Sequence, residues 1–279
     1  MSYGKLFGVR PGTRVRLSEI ESGFTGRHES RRSARAEMRH DDRRLCDLQY
    51  LLYANHRRSV LVVLQGMDAS GKDGTIRHVF DGLNPQGARA HSFKEPSLEE
   101  LDHDFLWRIQ LQTPAKGEFV IFNRSQYEDV LVVRVHRLVP KSVWSKRYES
   151  INDFERNLSL AGTTILKFYL HISEKEQLKR FKKRLDDPAR QWKISEADYS
   201  ERALFKDYTK AYEDVLERTS TSYARWYVIP AKHKWFRNLA VSKIVVETLE
   251  SFGMKFPEPS VDLDEIRRKY HSAEKAEKG

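Results

Sequence analysis

Apolar residues gather in short runs at Val60–Leu64, Ala88–Phe93, Glu118–Phe122, Thr164–Ile172 and Trp226–Pro230. Val60–Leu64 is unbroken and rich in valine, which predicts a strand buried on both faces, as in a parallel sheet. Between the runs, apolar positions recur at helical spacing. Leu45, Leu48, Leu51 and Leu52 form a stripe within a helix over 29–57, and Ile76, Val79 and Phe80 mark another. Ser97 with Glu100, and Ser173 with Glu176, have the spacing of capping boxes. They predict one helix running through Leu111 and another starting at Glu174. Further helices are expected over 144–161, 198–218 and 235–252, the last packing through Leu239, Ala240, Val241, Ile244, Val245 and Leu249. Turn-forming clusters such as Asn84-Pro85-Gln86-Gly87 and Thr113–Gly117 separate the elements.

Five strands alternating with helices predict an α/β fold, a three-layer sandwich around a parallel sheet of about five strands. Residues 1–25 show no period and read as an extended arm, so that 1–58 forms an arm and a helix packed on the core. Residues 59–252 form the core itself, with a lid around 178–200. Residues 253–279 form a charged tail expected to fray beyond Pro257.

The first strand runs directly into Gly66-Met-Asp-Ala-Ser-Gly-Lys-Asp-Gly-Thr75, and a helix follows. Strand, glycine loop and helix together form the setting of a phosphate-cradling loop. Gly66, Ala69, Ser70, Gly71, Lys72, Asp73, Gly74 and Thr75 would surround the anion with backbone N–H groups, the positive end of a helix and one ammonium. Asp73 stands where Ser or Thr usually follows the lysine, and a plain glycine turn is the alternative reading. Asp68 would repel a phosphate unless it holds a magnesium ion bridging to it.

The third strand ends on Asn123-Arg124-Ser125-Gln126-Tyr127-Glu128-Asp129. Ligands of open α/β sheets sit beyond the carboxyl ends of strands, so these residues should face the same crevice. Asn123 offers a neutral metal ligand, and Asp68, Glu128 and Asp129 offer the charge. An ion pair of Arg124 with Glu128 or Asp129 at a helix start is the plainer alternative. Arg180, Lys183 and Arg184 share a helical face, and Arg190 follows beyond Pro188. They read as a basic lid able to neutralise a polyphosphate. Lys232, Lys234, Trp235 and Arg237 follow the last strand on the crevice side. Arg31, Arg32, Arg35, Arg39, Arg43 and Arg44 make the first long helix basic. They read as a solvated face partnered by Glu37, Asp41 and Asp42.

The net charge of +10 favours an anionic partner. The single cysteine, Cys46, rules out an intrachain disulfide and fits a reducing cytoplasm. No apolar run approaches a membrane span, and no nucleophilic dyad or zinc spacing stands out.

Three motifs carry a family resemblance: Gly66–Gly74, Phe122–Val135 and Trp226–Asn238. In this order the chain resembles the second family of polyphosphate kinases from about residue 30 to residue 252. The resemblance implies a P-loop kinase fold similar to thymidylate kinase, with a helical lid. It implies phosphoryl transfer between inorganic polyphosphate and nucleotides, with magnesium and with manganese as a substitute. Asp68, Lys72, Asn123 and Arg124 would be catalytic. Arg124, Glu128, Asp129 and Arg134 would bind the nucleotide, and Asp68, Asn123 and Asp129 the metal. Arg180, Lys183, Arg184 and Arg190 would match the basic lid. Asn123 with Glu128 and Asp129 resembles the branch that accepts AMP as well as ADP. ATP, and guanine nucleotides beside the adenine ones, would be further partners, in a homodimer or homotetramer without nucleic acid or membrane. Tyr223-Ala224-Arg225-Trp226 departs from the family's usual Ala-Pro-Trp, a change confined to a turn. Competing readings are an ATP-dependent nucleoside monophosphate kinase and a polyanion-binding protein without activity.

Overall fold

The computed structural model describes residues 2–277. Five parallel strands form one sheet: β1 Ser59–Gln65, β2 Ala88–Ser92, β3 Phe119–Asn123, β4 Thr163–His171 and β5 Trp226–Pro230, in the order β2-β3-β1-β4-β5. β1 is buried along its whole length, as its valine run requires. Because β1 lies between β3 and β4, in register with Phe119–Asn123 and Thr163–Tyr169, the glycine loop emerges at the middle of the sheet. The chain reverses its direction of travel across the sheet there, which is where open α/β sheets place ligands.

The amino-terminal arm starts as a short helix, α1 Tyr3–Phe7, where the sequence suggested only extended chain. Tyr3, Phe7, Val9 and Leu17 are buried, and an antiparallel bridge joins Gly8 to Tyr227. α2 Arg31–Asn55 begins with a capping box between Ser30 and Ser33. It packs Ala34, Leu45, Leu48 and Leu52 inward. α3 Lys72–Val79 follows the glycine loop.

Ser97 and Glu100 form the predicted box at the start of α4 Leu98–Asp102. The helix does not continue to Leu111. Asp104 accepts from the Leu106 N–H with its side chain and from Trp107 N–H with its carbonyl, and the chain restarts as α5 Trp107–Gln110. An aspartate that bonds nearby backbone competes with the helix in this way. α6 Glu128–Val135 follows β3, and α7 Lys141–Leu160 starts just after Pro140.

α8 Glu174–Leu185 is capped by Ser173, which accepts from the Glu176 N–H at 3.2 Å. The Glu176 carboxylate turns to Arg180 at 2.9 Å and leaves the predicted box half made. The expected helix over 198–218 is two: α9 Ala197–Ala203 and α10 Phe205–Thr219, parted at Leu204. The helix following β5 is α11 Lys234–Glu250, which lies against α2.

The tail beyond Pro257 contains a helix, α12 Leu263–Glu277, where fraying was expected. The pairs Arg267–Asp264 at 2.9 Å and Lys269–Glu265 at 2.6 Å lie on its surface, and Asp262 accepts from the N–H groups of Asp264 and Glu265 at its start. No helix among the described residues is long and apolar enough to cross a membrane.

Candidate active site

The glycine loop needs glycine for steric reasons at two places. A Cβ on Gly66, at φ +149°, would lie 2.8 Å from the Leu170 carbonyl oxygen and 2.8 Å from Ser70 Oγ. Gly71, at φ +110°, faces the Arg237 guanidinium so closely that a Cβ would overlap it. Ala69 and Arg124 hold positive φ values of 61° and 64° without glycine's freedom. Such strain is kept only where the surroundings over-determine the backbone, and both residues lie at the crevice.

Lys72 folds back into the loop and donates to the Gly66 carbonyl at 2.6 Å and, more weakly, to Met67 at 3.4 Å. Burial lowers its pKa, and nearby Asp68 opposes the shift. Thr75 spends its hydroxyl on the Gly71 carbonyl at 3.1 Å. Asp73, in the usual hydroxyl position, instead accepts from Asn123 Nδ2 at 2.9 Å and pairs with Lys193 at 3.2 Å. Burial alone would raise its pKa, but these two donors outweigh it and hold the carboxyl below its ordinary value.

Opposite the loop, Arg124 reaches Asp68 at 3.3 Å. Desolvation would lower its pKa, but Glu128 and Asp68 raise it more. Lys72, Asp68, Arg124 and Glu128 therefore form one mixed-charge group at the ends of β1 and β3.

Asp129 points elsewhere. It pairs with Arg147 at 3.0 Å, and Arg147 stacks over Phe105 at 4.7 Å. Burial lifts the Asp129 pKa to about 6, with Arg147 and Arg108 pulling the other way. Arg134 pairs with Asp214 at 2.6 Å and stacks over Trp144, so its contacts tie α6 to α7 and α10. Of the three expected metal ligands, Asp68 contacts Arg124, Asn123 donates to Asp73, and Asp129 is held by Arg147. Among the described residues, no three His, Cys, Asp or Glu side chains come together closely enough to hold a metal ion.

The segment after β3 is fixed from below by a buried network. Lys167 Nζ donates to Glu155 at 2.6 Å, to Tyr127 Oη at 2.8 Å and to the Thr219 carbonyl at 2.6 Å. Tyr127 and Gln126 donate to the same carboxylate at 2.7 and 3.0 Å. Both residues lie between Arg124 and Glu128, so β4 and α7 set the backbone from which those two side chains project.

The other half of the crevice is cationic. Arg180 does not point outward with Lys183 and Arg184, as a shared lid face would have it. It is 7% exposed and donates to the carbonyls of Ala69 and Ser70, each at 2.8 Å, and to those of Ala231 and Lys232. The reason is the pull of four converging carbonyls on a planar five-donor group. Arg180 thus ties α8 to the glycine loop and to the end of β5.

Arg237 lies beneath the loop and donates to Asn238 Oδ1 at 2.7 Å, with no carboxylate partner among the described residues. Burial, then the charge of Arg180, pull its pKa down to about 9, which leaves it charged at neutral pH. The pKa of Lys234 is lowered by burial and then by the charges of Arg180, Arg190, Arg237 and Lys183. Arg190 is exposed and pairs with Asp187 at 2.8 Å, Lys183 is exposed, and Arg184 pairs with Asp198 at 3.6 Å.

The sequence placed Lys234 and Arg237 at the crevice without assigning them to phosphate, and it gave no role to Arg147 or Lys193. Cations clustered after a strand end signalled the first two. Arg147 and Lys193 lie far along the chain from their partners, and no local pattern announces them.

A glycine loop opening a helix at the centre of a parallel sheet, faced by an arginine and flanked by a basic helix, defines a P-loop phosphotransferase. The family model of polyphosphate kinase 2 matches residues 28–257. An AMP/ADP-polyphosphate phosphotransferase from Meiothermus ruber is 52% identical over 263 residues, covering 94% of this chain and 98% of that protein. An ADP-polyphosphate phosphotransferase from Rhodopseudomonas palustris is 46% identical over 91% of this chain and 92% of its own length. The crystal structure of polyphosphate kinase 2 from Arthrobacter aurescens superposes with a TM-score of 0.93 at 39% identity, covering 98% of this chain and 97% of that one. The chain belongs to the polyphosphate kinase 2 family, as its three sequence motifs suggested.

Proposed function

We propose that the enzyme moves phosphoryl groups from inorganic polyphosphate to AMP and to ADP, and also runs the reverse reaction. The observation that carries this reading is the division of the crevice. The mixed-charge group of Lys72, Asp68, Arg124 and Glu128 lies on one side of the glycine loop. On the other lie Arg180, Lys183, Arg190, Lys234 and Arg237; burial first, and then the charges of the other four, lower the pKa of Lys234. A long polyanion suits the second half and a nucleotide with its metal suits the first.

The terminal phosphate oxygen of AMP or ADP attacks the end phosphorus of the donor in line, and the shortened polyphosphate leaves. A phosphate ester loses its second proton near pH 6, so the attacking oxygen is already ionised and no strong base is required. Lys72, Arg124 and the loop N–H groups hold the transferring phosphoryl group, and the lid cations Lys183, Arg184 and Arg190 close over the donor. Arg180 acts through the loop it clamps, and Asn123 through Asp73.

Magnesium typically takes one or two carboxylates together with phosphate oxygens and water. Asp68 and Glu128 fit that pattern, since Asp68 gives only one oxygen to Arg124 and the Glu128 carboxylate accepts no hydrogen bond among the described residues. When bound, magnesium or manganese neutralises phosphate charge. Asp129 and Arg147 with Phe105 belong to the nucleotide side, and Arg134 braces the helix that carries Glu128. Guanine nucleotides as alternative acceptors and a dimeric or tetrameric assembly complete the proposal.

The test is to mix the protein with magnesium, long polyphosphate and either AMP or ADP, without ATP, and to separate the nucleotides. ADP and ATP formed from AMP support the full reading, provided a control without polyphosphate excludes disproportionation of ADP. ATP from ADP alone removes AMP as acceptor. Product only when ATP is supplied as donor points to an ordinary monophosphate kinase. Lys72→Ala should lower kcat about a hundredfold or more with an unchanged melting temperature.

A further inference from the structure

Outside the crevice, a dense unpaired charge lies on α2. Arg31, Arg35, Arg39 and Arg43 follow at four-residue intervals, and all four are exposed. At a helical rise of about 1.5 Å per residue the row is about 18 Å long, and it winds by about a third of a turn. Arg32 widens its beginning.

The acids expected to neutralise this row do not do so. Glu37 pairs with Arg27 at 2.8 Å and Lys243 at 3.5 Å, and Asp41 is buried against Lys243 at 3.3 Å. None of the four arginines has a carboxylate partner among the described residues, and Arg43 donates only to the Arg39 carbonyl at 3.4 Å. Like charges four residues apart on a helix repel each other, so the row is locally unfavourable without an anion. Asp42 and Asp47 lie only at its far end.

The row begins at the crevice end of the molecule. α2 and α11 run side by side in the same direction: His28 lies near Trp235, Asp41 beside Lys243, and Arg44 pairs with Glu250 at 2.8 Å. The start of α11 carries Lys234 and Arg237, so the start of α2 lies at the same end of the molecule. No exposed aromatic residue interrupts the row, since Tyr50 and Tyr53 lie beyond its end. A nucleic-acid track would be expected to offer stacking surfaces, whereas a polyphosphate chain has no bases to stack.

We propose that the row Arg31–Arg35–Arg39–Arg43 is an exosite for the distal part of a long polyphosphate whose reacting end lies in the crevice. This rests on the reading of the crevice as the site of polyphosphate transfer. The row would thus let the enzyme distinguish long donors from short ones.

The test compares long-chain polyphosphate with hexaphosphate as donors to ADP, in the wild-type enzyme and in the variant R31Q/R35Q/R39Q/R43Q. Each exposed charge contact is worth at most about a fivefold change, so four together should raise KM for the long donor about tenfold. The salt dependence of that KM should also weaken, because fewer counterions are released on binding. kcat and the KM for hexaphosphate should stay as in wild type. An unchanged KM for the long donor overturns the exosite, as does an equal rise for both donors. Loss of binding to single-stranded RNA with both KM values unchanged overturns it in favour of nucleic acid. No transfer from either donor by the wild-type enzyme would instead overturn the reading of the crevice. Asp47→Arg continues the row by one step and keeps the proposal testable should the quadruple variant misfold. It should lower KM for the long donor about twofold and leave hexaphosphate unaffected, and no change would count against the exosite.

Discussion

Arg237 shows how closely the cationic side of the crevice is built into the glycine loop. Its guanidinium occupies the space that a side chain at Gly71 would need. Gly71→Ala should therefore destabilise the protein by about 2 kcal/mol or more, through a positive φ and a clash with a buried cation. Denaturant unfolding should register the loss, with activity falling alongside. An unchanged midpoint would mean that Arg237 is free to move. Much at this level was legible in the sequence. The spacing of Gly66, Gly71 and Lys72 after a valine strand, and of Arg124 after β3, predicted that the loop and Arg124 face one crevice, and Arg124 does reach Asp68 in that loop. What could not be read was direction: Arg180 looks like its neighbours Lys183 and Arg184 in sequence. Only the fold brings the carbonyls of Ala69, Ser70, Ala231 and Lys232 around it.

β4 and α7 carry the buried Lys167–Glu155 pair that supports the segment between Arg124 and Glu128. Removing one partner leaves an uncompensated charge in the core, so Lys167→Met should cost about 3–5 kcal/mol in unfolding free energy. The double variant Glu155→Leu/Lys167→Met should regain much of that stability, yet its kcat should stay depressed because Tyr127 and Gln126 have lost their acceptor. Recovery of both stability and kcat would show that the pair does not position the segment. β4 ends on His171, whose Nε2 bonds the Ile20 carbonyl at 3.0 Å. Burial lowers its pKa, partly offset by that bond. The unfolded chain therefore takes up a proton near pH 6.5 that the folded one refuses. Stability from this group is complete above pH 6.5 and falls as the pH drops below it, by at most about 1.4 kcal/mol per pH unit. Unfolding midpoints measured from pH 7 to 5 should decline less steeply in His171→Gln. The strand itself was plain in the sequence as an apolar run. The break at Asp104 and the joint at Leu204 were hidden, because helical periodicity continues across both while local backbone bonding does not.

The order β2-β3-β1-β4-β5 puts the glycine loop at the centre and leaves β2 and β5 at the rims. β2 carries Arg89 and His91, charged or polar residues that discourage another strand from docking. β5 has the apolar sequence Trp-Tyr-Val-Ile-Pro, and its outer side is covered by the arm. The Val9 N–H bonds the Trp226 carbonyl at 2.8 Å, Gly8 bridges Tyr227, and Tyr3 and Phe7 pack their rings on Phe236. The sequence offered no period in this stretch, since its contacts are made one residue at a time with distant partners. Its removal should matter for a property unrelated to turnover, namely colloidal stability. A protein lacking residues 2–9 would present a bare hydrogen-bonding rim and should be active when fresh, then cloud on standing as molecules zip together along β5. Light scattering over hours at 37 °C would follow this, and a clear solution matching the full-length protein would show that the rim is harmless without its cover.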